Sequence, residues 1–300
     1  MSGQRRAMAL MAAFALAWVV LEEVVGRRLQ GHYHLMQIVW CRYAVHLLAL
    51  LLLFGWTDPA RLWRTRRPVF HLLRSLCMLV MPLTFALSLQ TAVRPNSVWA
   101  LFWLAPLVGL LIAQWTLGER SAPAVWAATA VVTAAALAIL SPGRDVLSPA
   151  IVLPLLMALS FAVYLVMTRR LTGEAVRANL FYTALGVFAV LTPVMPMVWV
   201  TPNAADLIVL MGIGVVGLLS LFLLDRAVAL APLDASTPFL FAHALGLLAL
   251  GWLLQGHPPA PAALAAAAVV AAVLVALWWH AGRTQGSTTI AFDGQGRPAQ

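Results

Sequence analysis

Lysine is absent from this sequence of 300 residues, and charged residues of all kinds make up only 10% of it. Soluble globular domains carry about 25% charged residues, so the composition excludes an ordinary water-soluble fold. Chemistry that needs a lysine amine, such as Schiff-base formation, is also excluded. The only two cysteines, Cys41 and Cys77, both lie in apolar segments. A disulfide framework or a thiolate metal site is therefore not expected.

The sequence is instead rich in long apolar runs, with 63% hydrophobic residues and a mean hydropathy of +0.92. A run of about 20 apolar residues crosses a bilayer core of about 30 Å as a helix. The pattern predicts an all-α polytopic membrane protein with a polar, disordered tail at 283–300. Its ten predicted transmembrane helices, spans 1 to 10, are 7–25, 35–55, 70–90, 96–116, 123–141, 149–168, 179–199, 206–229, 236–255 and 260–280.

The arginines predict how the spans are oriented. An even number of spans puts both termini on one side of the membrane. The loops on that side hold the segment RLWRTRR at 61–67, Arg120, Arg169, Arg170 and Arg177. The loops on the other side hold Arg27, Arg28, Arg94 and Arg144. The positive-inside rule then predicts cytoplasmic termini in a bacterial inner membrane, and the net charge of +9 needs no nucleic-acid partner to explain it.

One segment of the chain occurs twice in similar form. LAPLVGLLIAQWTLGERSAPAVWAATAVV, which begins at residue 104, aligns without a gap with AHALGLLALGWLLQGHPPAPAALAAAAVV, 138 residues later. Gly118 then falls on Gly256, and Pro123 falls on Pro261. A second match, RRLQG at 27–31 with RRLTG at 169–173, ends spans 1 and 6.

These matches predict two repeats, 1–145 and 146–282, each with five spans. Because five is odd, the second repeat enters the membrane in the opposite orientation to the first. Inverted repeats of this kind are typical of secondary transporters, which place the substrate site near mid-membrane between the repeats.

The same residues resemble the EamA-type family of the drug/metabolite transporter superfamily. Leu104, Pro106 and LGER at 117–120 are similar to its first-half signature, and STPFLFAHALGLLALGWLLQGH at 236–257 is similar to its second-half signature. The resemblance covers about residues 7–280. It implies a central cavity lined by helices 1, 3, 4, 6, 8 and 9, with helix 2 outside it and helices 5 and 10 at the periphery. It also implies export of amino acids or related metabolites by alternating access.

The second copy of the repeated segment departs from the first at two positions. Pro106 becomes Ala244, and Glu119 becomes His257. We expect Glu119 to favour the positive end of the helix 5 dipole, which a histidine cannot do. The altered copy is interpreted as divergence between halves, with the two prolines at 258–259 stiffening the turn instead.

Ionisable residues inside the spans are candidates for function, because burying a charge in a bilayer is costly. Glu22 and Glu23, near the end of span 1, are expected to reach Arg42 of span 2, either as a structural ion pair or for coupling and substrate capture. Arg74 is interpreted as a side chain that extends to the membrane surface. Asp225 and Arg226, near the end of span 8, are expected to reach the interface or to pair with a neighbouring helix.

Two histidines lie closer to mid-membrane. His46 shares a face of span 2 with Arg42 and is interpreted as packing. His243 lies on span 9, and substrate contact, proton handling and a hydrogen-bonded core histidine all stay open for it.

Aromatic residues on the presumed cavity helices suit an apolar, aromatic or cationic solute through stacking and cation–π contacts. With His243, the candidate substrate-binding residues are Trp18, Phe85, Trp99, Trp103, Tyr164 and Phe239. Trp99 and Trp103 precede Pro106, which removes a backbone hydrogen bond and is expected to kink helix 4.

Other functions are also open. Drug efflux would use the same fold. EEVVGR at 22–27 and FLFAH at 239–243 match two elements of CAAX-type intramembrane proteases, but the third, a histidine with Asn or Asp four residues on, is missing. A channel or a structural membrane protein is a further alternative. No nucleotide-binding signature is present, and no cofactor, metal or catalytic residue is expected. The expected partners are a small-molecule substrate and the lipid bilayer, for a monomer or a dimer.

Overall fold

A computed structural model describes residues 2–57, 59–256 and 258–283. Within these residues the chain is helical and has no β-strand. Ten helices are long and apolar enough to cross a membrane, which confirms the ten predicted spans, and we number them α1 to α10. They are Gly3–Val24, Leu35–Phe54, Pro68–Leu89, Pro95–Leu117, Pro123–Leu140, Pro149–Arg170, Val176–Val198, Ala204–Leu230, Leu233–Leu254 and Pro261–Gly282. Of the predicted tail, residues 284–300 lie outside the described part of the chain.

The outer surface of the bundle is apolar. Ile208 is 71% exposed, Leu52 is 61% exposed and Val275 is 57% exposed, each in a transmembrane helix. Exposing apolar surface to water costs roughly 25 cal/mol per Å², so side chains of this kind belong against lipid. The chain is an integral membrane protein.

Local sequence explains where several helices begin and end. α3, α4, α5 and α10 begin at a proline, whose missing N–H is one of the unpaired donors of a first helical turn. α4 and α9 each end before a glycine, Gly118 and Gly256, and both glycines have a φ of +70°. This left-handed conformation terminates a helix and is costly for any residue with a Cβ. The two glycines are the pair that the sequence alignment superposes.

Two of the ten helices are interrupted. α4 consists of Pro95–Phe102 and Ala105–Leu117, and the break lies directly before Pro106, where the sequence predicts a kink. α9 contains a 3₁₀ segment, Thr237–Phe241, before its longest part. Pro238 lies in that segment, so the second interruption also has a proline although Pro106 itself has no counterpart there. At the breaks the rings of Trp103 and Phe241 lie 5.4 Å apart.

The helix contacts form a paired set. α1 packs along α8 as α3 packs along α6, α4 contacts α6 as α9 contacts α1, and α3 contacts α7 as α8 contacts α2. α2 with α7 and α5 with α10 complete the set. Exchanging the first five helices with the second five converts every one of these contacts into another member of the set.

The bundle has two different ends. We call the end with the 55–67, 118–122 and 171–175 loops the closed end, and the end with the 25–34, 90–94 and 141–148 loops the open end. The arginine-rich loops, including RLWRTRR at 61–67, belong to the closed end. The open end takes its name from the cavity described next.

Candidate functional site

A cavity of about 1020 Å³ enters the bundle from the open end. Its lining reaches the loop residues Gln30 and Gln90 in one direction and ends in the other at mid-helix residues such as Met78 and Leu221. Pockets for small organic molecules have volumes of about 300–1,000 Å³, so this cavity can hold a metabolite of several hundred daltons.

The lining corrects two expectations from the family resemblance, because Ile139 and Leu140 show that helix 5 also reaches the cavity. Ile38, Val39 and Arg42 of α2 line the cavity, so helix 2 is not outside it. α8 contributes Ser220 and Leu221, and α3 contributes Met78 and other apolar residues. Among the described residues, none from α7 or α10 lines the cavity. Arg42 was a candidate from the sequence, but sequence reasoning missed Ile38, Val39, Met78, Ser220 and Leu221, because nothing in their local pattern distinguishes them from lipid-facing residues.

One wall of the cavity is aromatic. Trp18 of α1, Phe85 of α3 and Trp99 of α4, three of the candidate substrate-binding residues, line it together. The Trp99 ring lies 5.2 Å from the Phe85 ring and 6.2 Å from the Trp18 ring. Ring spacings of 4.5–7 Å are those of interacting aromatic pairs, so these side chains form one continuous surface.

Three charged side chains line the same cavity, namely Glu22, Glu23 and Arg42. The sequence suggested that Glu22 pairs with Arg42, but it does not do so in the structure. Its Oε2 atom lies 3.0 Å from Nε2 of His243 instead, and Arg42 lies over the Tyr43 ring at 4.9 Å. Oε1 of Glu22 and Nε of Arg42 are buried and have no protein hydrogen-bond partner. The cavity therefore holds an acidic group and a basic group with bonding capacity left.

Trp103 and His243 lie directly behind the aromatic wall. They are 1% and 0% exposed and do not line the cavity. The His243 ring lies 4.9 Å from Trp103, 5.6 Å from Trp18 and 5.9 Å from Trp99. His243 can thus reach a solute only through the exposed edge of Glu22, whose side chain is 18% exposed.

The structure places the other two candidate substrate-binding residues elsewhere. The Arg74 guanidinium lies over the Tyr164 ring at 5.0 Å, and Tyr164 is fully buried. Phe239 packs against Trp278 of α10 at 6.4 Å. Neither residue lines the cavity, because each side chain packs against a neighbouring helix instead.

Arg74 does not extend to the membrane surface, which corrects the sequence interpretation. Its side chain is 0% exposed and lies 3.5 Å from Oδ1 of Asp225 on α8, so Asp225 pairs with a neighbouring helix. Arg74 also donates to the Thr168 hydroxyl at 2.9 Å, to the Thr183 hydroxyl at 2.8 Å and to the Asn179 carbonyl at 2.6 Å. One buried guanidinium therefore joins α3 to α6, α7 and α8 toward the closed end. Sequence reasoning missed this network.

Glu119 also has a different role from the one expected. Its carboxylate accepts a hydrogen bond from Arg169 Nε at 2.7 Å and another from the Leu233 backbone N–H at 3.0 Å. It thus joins the end of α4 to α6 and α9 rather than capping α5. Its counterpart in the repeat, His257, lies outside the described residues.

His46 packs between α2 and α8, which agrees with the packing interpretation. Its ring contacts Tyr43 at 4.9 Å, and a Cβ added at Gly217 would lie 2.9 Å from its Nε2 atom. The close approach of the two helices at this point therefore needs glycine.

Comparison with known proteins gives the following. No protein-family model matches the sequence. S-adenosylmethionine uptake transporters of Rickettsia conorii and Rickettsia prowazekii are each 26% identical, over 72% and 73% of this chain and 74% of each relative. A riboflavin transporter of Rhizobium johnstonii is 32% identical over 54% of both chains. One solved crystal structure superposes with a TM-score of 0.76 over 92% of this chain and 98% of its own, at 18% identity.

Together with the ten apolar helices, these relatives support a membrane transporter of small metabolites. Amino acid export finds no support, since the Rickettsia relatives are named for uptake. The transporter names also imply a non-enzyme. Glu22 and His243, which belong to the protease-like patterns, do meet in space. However, the described residues contain no group of three or more His, Cys, Asp or Glu side chains that could hold a metal ion.

Proposed function

We propose that this protein is a secondary transporter that takes up S-adenosylmethionine or a closely related metabolite across the bacterial inner membrane. The names of the Rickettsia relatives suggest the substrate class, and the cavity contains groups that suit it. We assign the chain to the EamA-type branch of the drug/metabolite transporter superfamily on the motifs at 104–120 and 236–257.

The observation that carries the proposal is the meeting of an aromatic wall with acidic and basic groups in one cavity. S-adenosylmethionine has an adenine ring, a sulfonium cation and an amino acid end. Adenine and sulfonium suit the Trp18 and Trp99 faces through stacking and cation–π attraction. The ammonium group suits the free oxygen of Glu22, and the carboxylate suits Arg42. Buried polar atoms without a partner are rare in native proteins, and this substrate would supply the missing partners.

The proposed transport cycle follows from an inverted repeat. The paired helix contacts, the left-handed Gly118 and Gly256 and the two interrupted helices support the repeat assignment 1–145 and 146–282. If the halves are equivalent, exchanging their conformations moves the opening from one end of the bundle to the other. With cytoplasmic termini, the open end faces the outside, as an uptake transporter requires before it binds substrate.

We assign Glu22 and His243 to coupling within this cycle. A substrate ammonium that binds Oε1 of Glu22 draws charge from the carboxylate whose Oε2 atom bonds His243, and so weakens that bond. His243 is enclosed by three tryptophan rings, so release from Glu22 leaves it with no other hydrogen-bond partner among the described residues. Substrate binding and the hydrogen-bonding state of His243 are thereby linked. Glu23 lines the cavity beside them.

The test is uptake of radiolabelled S-adenosylmethionine into proteoliposomes. We expect Trp99→Ala to raise KM about 5- to 30-fold, which corresponds to roughly 1–2 kcal/mol of lost cation–π contact. Trp115→Ala is the matched control, because Trp115 lies on the same helix, is 73% exposed and is outside the cavity. Equal effects of the two substitutions would contradict the assigned cavity.

Competition by unlabelled compounds distinguishes the substrate classes. Adenosine and methionine each carry part of the proposed recognition and should compete weakly. Strong competition by riboflavin, by free amino acids or by cationic drugs, with no uptake of S-adenosylmethionine, would replace the proposed substrate with that class.

A further inference from the structure

A second, smaller cavity lies on the lipid-facing side of the bundle at the closed end. It measures about 340 Å³ and is formed between α1 and α8. Its lining includes Arg6 and Leu10 of α1 and Phe222, Arg226 and Leu230 of α8. None of these residues takes part in the substrate cavity.

The two arginines of this groove have no anionic partner among the described residues. Arg6 and Arg226 are exposed, and neither makes an ion pair or a side-chain hydrogen bond with another described residue. At the same end, Arg169 is held by Glu119 and Arg74 by Asp225. An anion in the groove would be attracted by both guanidinium groups.

The groove is arranged in two levels along the membrane normal. Arg6 and Arg226 each lie about one helical turn from the end of their helix, so we expect them at the depth of the lipid head groups. Leu10 and Phe222 lie one turn deeper on the same faces, since each is four residues from its arginine toward mid-membrane. Phe222 is 41% exposed, so this deeper level is open to lipid.

We propose that the groove is a binding site for an anionic phospholipid, whose phosphate lies between Arg6 and Arg226 and whose acyl chain packs on Leu10 and Phe222. Charge complementarity selects the head group, and basic pockets between transmembrane helices are known to suit anionic lipids. The apolar level one turn deeper selects a lipid over inorganic phosphate, which has no acyl chain. Because the arginines come from α1 and α8, the bound lipid connects the two halves of the chain.

The test measures lipid binding, which does not depend on the transported substrate. The purified full chain is titrated with phosphatidylglycerol, phosphatidylcholine or inorganic phosphate, and bound lipid is counted by native mass spectrometry beside the thermal unfolding midpoint. We expect one phosphatidylglycerol to bind preferentially and to raise the midpoint. Its affinity should fall about fivefold in Arg6→Gln and in Arg226→Gln, and about 25-fold in the double variant.

Two further variants test whether lipid binding depends on the groove arginines specifically and on the apolar contact with Phe222. Arg120→Gln removes an exposed arginine at the same end outside the groove and should leave binding unchanged. Phe222→Ala keeps both arginines and should weaken phosphatidylglycerol binding. A midpoint shift that phosphate reproduces in full, or equal lipid binding in wild type and the double arginine variant, would overturn the proposal. A fall in Arg120→Gln as large as in Arg226→Gln would overturn it as well.

Discussion

The two ends of the bundle hold the same kind of ion pair in opposite surroundings. At the closed end the side chains of Arg74 and Asp225 are 0% and 1% exposed. At the open end the Arg94 side chain, paired with Asp145 at 3.3 Å, is 64% exposed. Exposed pairs contribute about 0–1 kcal/mol, whereas a buried charge that loses its partner costs several kcal/mol. The Arg74–Asp225 pair is therefore costly to break, whereas the Arg94–Asp145 pair is not.

Polar contacts between the two halves stabilise the closed end. Glu119 and Arg74 tie helices of the first half to helices of the second half at the closed end. Around the open end, water can enter the cavity and compete for polar groups. In the proposed cycle, opening of the closed end has to break these contacts.

The largest effect is expected from Arg74→Leu. The substitution leaves Asp225 buried without its partner, so the free energy of unfolding should fall by about 3–5 kcal/mol. Arg94→Leu at the open end is the matched control and should change it by about 1 kcal/mol or less. Thermal unfolding of the detergent-purified proteins measures both. Similar losses for the two variants would mean that burial does not distinguish the ends.

Replacing both residues of the Arg74–Asp225 pair separates the effect of the buried Asp225 charge from the effect of the other hydrogen bonds of Arg74. Arg74→Leu with Asp225→Leu removes both charges, so it should be more stable than Arg74→Leu alone. A double variant as unstable as the single one would indicate that the hydrogen bonds to Thr168, Thr183 and Asn179, rather than the charge of Asp225, account for the loss.

A smaller effect is expected from Glu119→Gln. The amide cannot replace two charge-assisted hydrogen bonds, so the closed end should open more often, by about tenfold. A cysteine at Ser236, which is buried at the start of α9, reports this as faster labelling in a background without Cys41 and Cys77. Glu174→Gln, whose carboxylate accepts a bond from the Arg66 backbone N–H on the exposed surface, is the control. Unchanged labelling in Glu119→Gln would show that Glu119 does not hold this end.

His243→Gln tests the base of the open cavity. Glutamine can still donate to Glu22 but cannot take up a proton near neutral pH. If His243 handles a proton, uptake in proteoliposomes should lose its pH dependence while monodispersity is retained. Trp103→Ala, which removes a ring beside His243 without removing a titratable group, is the comparison and should keep that dependence. A full pH dependence in His243→Gln would leave His243 as a hydrogen-bonded core residue.

The smallest effect is expected at the open-end loop. A hydrogen bond from the Arg94 backbone N–H holds the pKa of Asp145 at about 2, below its usual 3.8. A lowered folded-state pKa stabilises the protein above the unfolded pKa, and the contribution is lost as the pH falls from about 4 toward 2. The midpoint difference between wild type and Asp145→Asn should therefore shrink over that interval. A difference that stays constant would contradict the role of the carboxylate charge.

The sequence alone predicted the ten helices, because the length of an apolar run and the prolines and glycines at its ends are local properties. The sequence alignment likewise paired Gly118 with Gly256, and both have the same left-handed backbone conformation in the structure. The helix and turn predictions needed only the order of residues and the thickness of a bilayer. Trp18, Phe85 and Trp99 could be proposed as cavity residues only because the family resemblance assigns their helices to the cavity.

Only the tertiary structure decided the partners of the charged residues. Arg74 and Asp225 are separated by 151 residues, and Glu22 and His243 by 221, so no local pattern connects them. Whether a side chain on an apolar helix faces lipid, a neighbour or the cavity depends on how the helix is rotated in the bundle. The packing of all ten helices sets that rotation, and it moved Arg74 from the membrane surface to the interior and brought α2 to the cavity.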